Sequence, residues 1–147
     1  MSLAEKIQKD LTDAMRAKDE LRLSVLRGIK SAITYKETEK IRALDEAESI
    51  QILQTLVKQR KESIEVYEKT GRADLAAGEK EELAILEAYL PQAMSDAELE
   101  ETIRGIAKEK GFSSGKDVGL LMKELMARHR GRADGKRAQE IARKLFP

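Results

Sequence analysis

Residues 115–136 read GKDVGLLMKELMARHRGRADGK. Val118, Leu121, Met122, Leu125 and Met126 stand at i, i+3, i+4, i+7 and i+8, the apolar stripe of an amphipathic helix over residues 115–129. Gly131 ends that helix, because glycine takes the left-handed conformation past a helix end at least cost. Asp134 or Gly135 opens a last helix with Ile141, Ala142, Leu145 and Phe146 on one side. The tail is therefore a helical hairpin closed by a glycine-bounded turn. From Leu120 to Pro147 it carries eight Lys/Arg against three Asp/Glu, a net of +5 in a chain whose total is +1, so residues 1–119 sum to −4.

Outward from the tail, the chain keeps the same character. Charged residues make up 37% of its 147 residues and aromatics 3%, with only two prolines. Such a composition, rich in Ala, Leu, Glu, Lys and Arg, favours helices over strands. Ser2 caps a first helix to Lys18 with Leu3, Ile7, Leu11 and Met15 on its apolar face. Asp19 caps a second, to Thr38, with Val25, Leu26, Ile29 and Ile33 inward. Asp45 and Glu48 form a capping pair for a long helix over 46–70 whose apolar side is Ile50, Leu53, Leu56, Val57, Ile64 and Tyr67. Gly71 stops it, and Asp74 caps a fourth helix reaching Tyr89. Leu90-Pro91 is a boundary, since proline disfavours helical geometry at the residue before it. Ser95 and Glu98 then form a second capping box for a helix to Lys110 with Leu99, Ile103 and Ile106 inward, and Gly111 stops it. The expected fold is all-α: an N-terminal four-helix bundle over 1–91, followed by a small C-terminal three-helix unit over 92–147. Gly71-Arg72-Ala73-Asp74 recurs as Gly131-Arg132-Ala133-Asp134, but the flanks do not align, and shared turn chemistry accounts for it.

Most chemistry is excluded by the residues present. There is no cysteine, hence no disulfide, thiol nucleophile or Cys-ligated metal. No apolar run reaches membrane-spanning length, and the N-terminus enters an amphipathic pattern without an apolar leader core. A cytoplasmic protein is the resulting expectation. His129 is the single histidine, flanked by Arg128 and Arg130, which oppose a bound cation; a neutral, exposed histidine near a helix end is the reading. Glu81-Glu82 and Glu100-Glu101 are adjacent in sequence and point apart, so they read as solvated charge. A P-loop is ruled out: Gly131 and Gly135 leave three residues between them, Arg137 follows Lys136, and no strand precedes. The helix start at 134–136 could still hold an isolated phosphate on its backbone N–H groups. No serine has a base partner. Tyr35, Tyr67 and Tyr89 lie at core-compatible positions, Phe112 plugs the small unit, and none forms a base-stacking platform. No catalytic residue, metal site or cofactor is expected.

Charge is the remaining signal. From Asp74 to Glu101 there are nine Asp/Glu and one Lys, a net of −8. An acidic middle and a basic end could simply attract one another. The functional reading is an electrostatic footprint for an anionic partner, with Lys116, Lys123, Arg128, Arg132, Lys136 and Arg137 as the nucleic-acid-binding candidates. Lys136 and Arg137 sit in the last helix's first turn, where the helix dipole also favours an anion. The run Lys58-Gln59-Arg60-Lys61 offers an alternative docking face for a protein.

Several stretches together resemble one family. They are Leu26-Arg27-Gly28-Ile29-Lys30-Ser31-Ala32-Ile33, residues 57–64 (VKQRKESI), residues 71–76 (GRADLA), Glu79 to Glu82, Tyr89-Leu90-Pro91, Asp117-Val118-Gly119 with Met122, and residues 131–135 (GRADG). Their order and spacing resemble the YqeY-like family over nearly the full length. The resemblance implies an N-terminal helical bundle and a C-terminal three-helix unit. That C-terminal unit also resembles the tail domain of the B subunit of glutamine-dependent aminoacyl-tRNA amidotransferases. There the tail helps hold the tRNA, while the carbon–nitrogen ligase chemistry lies in other domains. What is implied here is an accessory tRNA-binding module, monomeric, cofactor-free and not catalytic alone, because no amidase Ser-Ser-Lys set or nucleotide-activating domain is recognisable. The partner is then tRNA or a tRNA-dependent enzyme, and no membrane. The alternative is a protein-interaction module that docks on such an enzyme without touching nucleic acid.

Overall fold

The computed structural model describes residues 1–147. The chain is all-α, with seven α-helices, one short 3-10 turn and no strand. It divides into two compact units, Met1–Leu90 and Pro91–Pro147.

The first unit holds α1 (Leu3–Ala17), α2 (Glu20–Lys40), α3 (Glu46–Lys69) and α4 (Ala73–Glu87). Ser2 and Glu5 close a full capping box on α1, and Asp45 and Glu48 do the same on α3. Each pair satisfies backbone N–H groups that a helix start leaves without partners. Leu3, Ile7, Leu11, Leu23, Val25, Leu26, Ile29, Ile33, Leu53, Val57 and Leu86 form one buried cluster. Met15 is not part of it: it is 54% exposed, while Ala14 is 3% exposed. At about 100° per residue, Ala14 lies ~20° from the Leu3 direction and Met15 ~120° away. Repeated steps of four overshoot the core, and a step of three brings the stripe back. Tyr35 departs from expectation for the same reason. It lies two residues past buried Ile33, ~200° around α2, and is 74% exposed.

Gly71 takes the left-handed conformation at φ +73°, as a helix stop requires. Asp74 does not cap α4. The cap position falls to Arg72, which makes no side-chain capping bond, and Asp74 lies inside the first turn. The Arg72 N–H donates back to the Tyr67 carbonyl at 2.8 Å, and the chain re-enters helix two residues earlier than expected.

The second unit contains α5 (Asp96–Lys110), the 3-10 turn Gly115–Asp117, α6 (Val118–Arg128) and α7 (Gly135–Leu145). The helix expected from residue 115 thus begins as a 3-10 turn. There the Asp117 carboxylate accepts from the N–H groups of Ser113 and Ser114 at 3.0 and 3.3 Å. Leu99, Ile103, Ile106, Val118, Leu121 and Leu125 make the core with Ala138 and Ala142, both fully buried. Two alanines on α7 let its backbone approach the neighbouring helices closely. Phe112 and Phe146 pack half-buried against the same cluster. Gly115 sits in a tight place: a Cβ there would meet the Phe146 carbonyl oxygen at 3.1 Å, so the backbone at 146–147 would have to give by a few tenths of an ångström. Of the two Gly-Arg-Ala-Asp runs, the second ends in a true cap, Asp134, whereas the first does not. Equal tetrapeptides take different roles, which removes the repeat.

Candidate nucleic-acid interface

The six tail candidates separate by residue type. Arg128, in the last turn of α6, donates two bonds to Glu109 of α5, at 2.8 and 3.0 Å, and a third to Glu124 at 3.0 Å. Hydrogen bonding from Arg128 holds the Glu109 carboxyl below its ordinary range, and the guanidinium is correspondingly harder to deprotonate. Arg137 grips Asp96 with two bonds, at 2.9 and 2.7 Å, and Glu140 with a third at 2.9 Å. Asp96 is held low chiefly by that hydrogen bonding. Arg132 donates to the Gln92 carbonyl at 2.8 Å and to Glu98 at 3.1 Å. The planar guanidinium fork suits such two-point contacts, which an ammonium cannot copy. Asp96 and Glu98 belong to the acidic stretch, so part of its charge does meet the basic tail, inside the second unit.

Lys116, Lys123 and Lys136 are exposed and make no ion pair. Lys108, Lys110, Arg130, Arg143 and Lys144 share that state, and sequence reasoning left them out. Glu140, four residues before Lys144, is paired with Arg137 instead. The start of α7 is not open to a phosphate. Asp134 caps it, its carboxylate accepting from the N–H groups of Lys136 and Arg137 at 3.0 and 3.3 Å. The cap supplies the negative charge that the helix end attracts. His129 closes α6 and is half-buried rather than exposed.

In the first unit, the Lys58–Lys61 run is split. Arg60 is taken up by Glu79 and Glu82 of α4, while Lys58 and Lys61 remain exposed. Glu82 is therefore an ion-pair partner, not solvated charge. A second basic surface went unnoticed in the sequence. From Leu21 to Lys36, α2 has four Lys/Arg and no Asp/Glu. Averaging over a net-acidic segment concealed it.

The YqeY-like protein family matches residues 4–146. The chain belongs to the YqeY-like family. Among the curated relatives of this YqeY-like chain, one from Vanderwaltozyma polyspora is 36% identical over 120 residues, 76% of this chain and 64% of the relative. One from Lachancea thermotolerans is 38% identical over 106 residues, 70% of this chain and 57% of the relative. A third, from Kluyveromyces lactis, is 42% identical over 84 residues, covering 56% and 45%. All three are named "Altered inheritance of mitochondria protein 41, mitochondrial". The YqeY-like chain matches about half to two thirds of the length of these relatives.

Those names overturn the cytoplasmic expectation, since each carries the word mitochondrial. Cysteine content and the lack of an apolar leader core do not separate one aqueous compartment from another. Organelle targeting segments are amphipathic rather than apolar. No helix of the YqeY-like chain is long and apolar enough to cross a membrane.

Proposed function

We propose that this protein is an accessory tRNA-binding module that serves a tRNA-dependent enzyme and does no bond-making chemistry alone. In this reading residues 1–91 form a helical bundle and residues 92–147 act as the RNA-holding tail, working as a monomer in the mitochondrial setting of the relatives' names. The observation that carries it is the unpaired state of Lys116, Lys123 and Lys136 beside arginines that are already engaged. Exposed ammonium groups suit sequence-independent contact with phosphates. Kinship with a family whose C-terminal unit resembles an amidotransferase tail supports the choice of RNA.

The test is binding of unfractionated tRNA at two salt concentrations. Lys123→Glu/Lys136→Glu removes two ammonium groups from the phosphate backbone. It should reduce the salt slope by roughly 1.5, at 0.7–0.9 for each phosphate neutralised. A flat salt response of the wild type, or unchanged binding by that variant, overturns the tail as the RNA site.

The rival reading, docking on a protein, is favoured by one feature. A groove of about 520 Å³ between α2 and α3 is lined by Tyr35, Ile52 and Leu56. Capture of a synthetase or amidotransferase subunit that survives nuclease treatment would decide for it.

A further inference from the structure

The geometry points to a second RNA-contact surface on α2, built by Arg27, Lys30 and Tyr35, which grips phosphates and stacks one unpaired base. It rests on the reading of the protein as an RNA binder but uses none of the tail residues.

Four observations converge there. Arg27 and Lys30 are exposed and make no ion pair, and Lys30 donates only to the Gln8 side-chain oxygen, at 2.8 Å. Tyr35 is 74% exposed, while Leu23, Val25, Leu26, Ile29 and Ile33 of the same helix are buried. These three, with Leu11, Ser31 and Thr34, line a shallow concavity of about 600 Å³ that contains no carboxylate. Finally, the sixteen residues Leu21–Lys36 contain no acid at all, in a chain with 27 Asp/Glu.

The spacing explains why this is one surface. Positions 27, 30, 31, 34 and 35 fall within ~140° of arc on α2, over ~12 Å of helix axis. Two cations at one end and an aromatic ring at the other follow a backbone and its base. Hydroxyls of Ser31 and Thr34 stand between them, within the same arc. A cationic groove with an exposed ring is the combination that holds unpaired nucleotides, because every base has a π-face. Structured RNA supplies both elements, since its loops expose unstacked bases next to regular backbone. Tyr35 also borders the α2–α3 groove, whose carboxylates Glu39 and Glu48 are already paired with Lys36, and with Lys40 and Arg42. They leave the Arg27–Lys30 end positive.

The experiment compares the full chain with Arg27→Glu/Lys30→Glu, Tyr35→Ala, and the tail variant Lys123→Glu/Lys136→Glu. Probes are unfractionated tRNA and a blunt RNA duplex without unpaired bases. All substituted side chains are exposed, so circular dichroism and Tm should match the wild type. The α2 double variant should bind tRNA roughly thirtyfold more weakly at 0.1 M salt, as expected for two phosphates no longer neutralised. Tyr35→Ala should weaken tRNA binding about tenfold and leave the duplex unaffected, and ultraviolet crosslinking should place a nucleotide on Tyr35.

If the α2 variant binds tRNA as the wild type does while the tail variant is impaired, this surface falls and the tail stands. If the α2 variant is impaired and the tail variant is not, this surface stands and the tail falls. A wild type that ignores tRNA removes both, as does one that prefers anionic phospholipid vesicles. Should the charge reversal unfold the chain, Tyr35→Ala carries the decision: equal weakening on tRNA and duplex, or no crosslink at Tyr35, overturns the proposal.

Discussion

Tyr89 joins three segments of the first unit through one hydroxyl. It donates to Asp10 of α1 at 2.5 Å and accepts from Arg22 of α2 at 3.5 Å, while the Lys6 ammonium lies 5.4 Å from its ring centre. Burial first, and the Asp10 hydrogen bond second, push the phenol up to about 12. An unfolded tyrosine ionises near 10. The folded form therefore holds the proton more tightly, and its stabilisation is complete below about pH 10 and fades as pH rises toward 12. Tyr89→Phe should cost about 1–2 kcal/mol at neutral pH, as expected for a bond to a charged acceptor. The gap between the two proteins should close in urea unfolding repeated near pH 11; a constant gap would mean the hydroxyl contributes by packing alone. Ile41 shows the opposite situation. It caps α2 at φ +57° and is 89% exposed, so a β-branched side chain sits in left-handed backbone with no burial in return. Left-handed geometry costs an L-residue roughly 1–2 kcal/mol. Ile41→Gly should raise stability by about 0.5–1 kcal/mol after the added freedom of the unfolded chain is subtracted, measured as an upward shift in the urea midpoint.

α6 illustrates what a helix reveals in sequence and what it hides. Of its five-residue stripe, Val118, Leu121 and Leu125 are buried, while Met122 and Met126 are half-buried. Leu125 is fully buried in a unit of only 57 residues. Leu125→Ala should cost about 2–5 kcal/mol, more than so small a core readily absorbs. Hydrogen exchange should then lose protection across α5, α6 and α7 while α1 to α3 keep theirs. Uniform loss along the chain would show that the two units unfold together. Helix existence, the Asp45–Glu48 box and the glycine stops were legible because each depends on residues within one turn. Met15 and Tyr35 were misplaced because a face was read without following its rotation around the axis. The pairs Arg137–Asp96 and Arg132–Glu98 span 41 and 34 residues, and only folding brings them together. For the candidate site, sequence located the basic tail but could not distinguish engaged arginines from unpaired lysines.

Across the molecule, charge is almost balanced at +1, yet its distribution between paired and unpaired groups is uneven. The Pro91–Pro147 unit has twelve Lys/Arg and nine Asp/Glu. Four arginines there, Arg104, Arg128, Arg132 and Arg137, are ion-paired, and the lysines are not. Because Asp96 and Glu109 are held below their ordinary values, the pairs persist through the neutral range. Their stabilisation is present above the unfolded carboxylate values near 4 and is lost as pH falls through the lower folded ones. At neutral pH the arginines can be released only by changing the carboxylates. Asp96→Asn/Glu109→Gln keeps shape and removes two negative charges, leaving Arg128 paired with Glu124 alone and Arg137 with Glu140 alone. Since exposed pairs add little to folding, Tm should fall only slightly. If the tail meets RNA, tRNA affinity should rise and the salt slope should steepen by roughly 1–2, as for one or two further phosphates neutralised. A variant that folds normally and binds tRNA no better than the wild type would place the RNA away from Arg128 and Arg137. The six-residue tail footprint would then shrink to Lys116, Lys123, Arg132 and Lys136, since freeing a guanidinium beside bound phosphate must strengthen an interaction governed by counterion release.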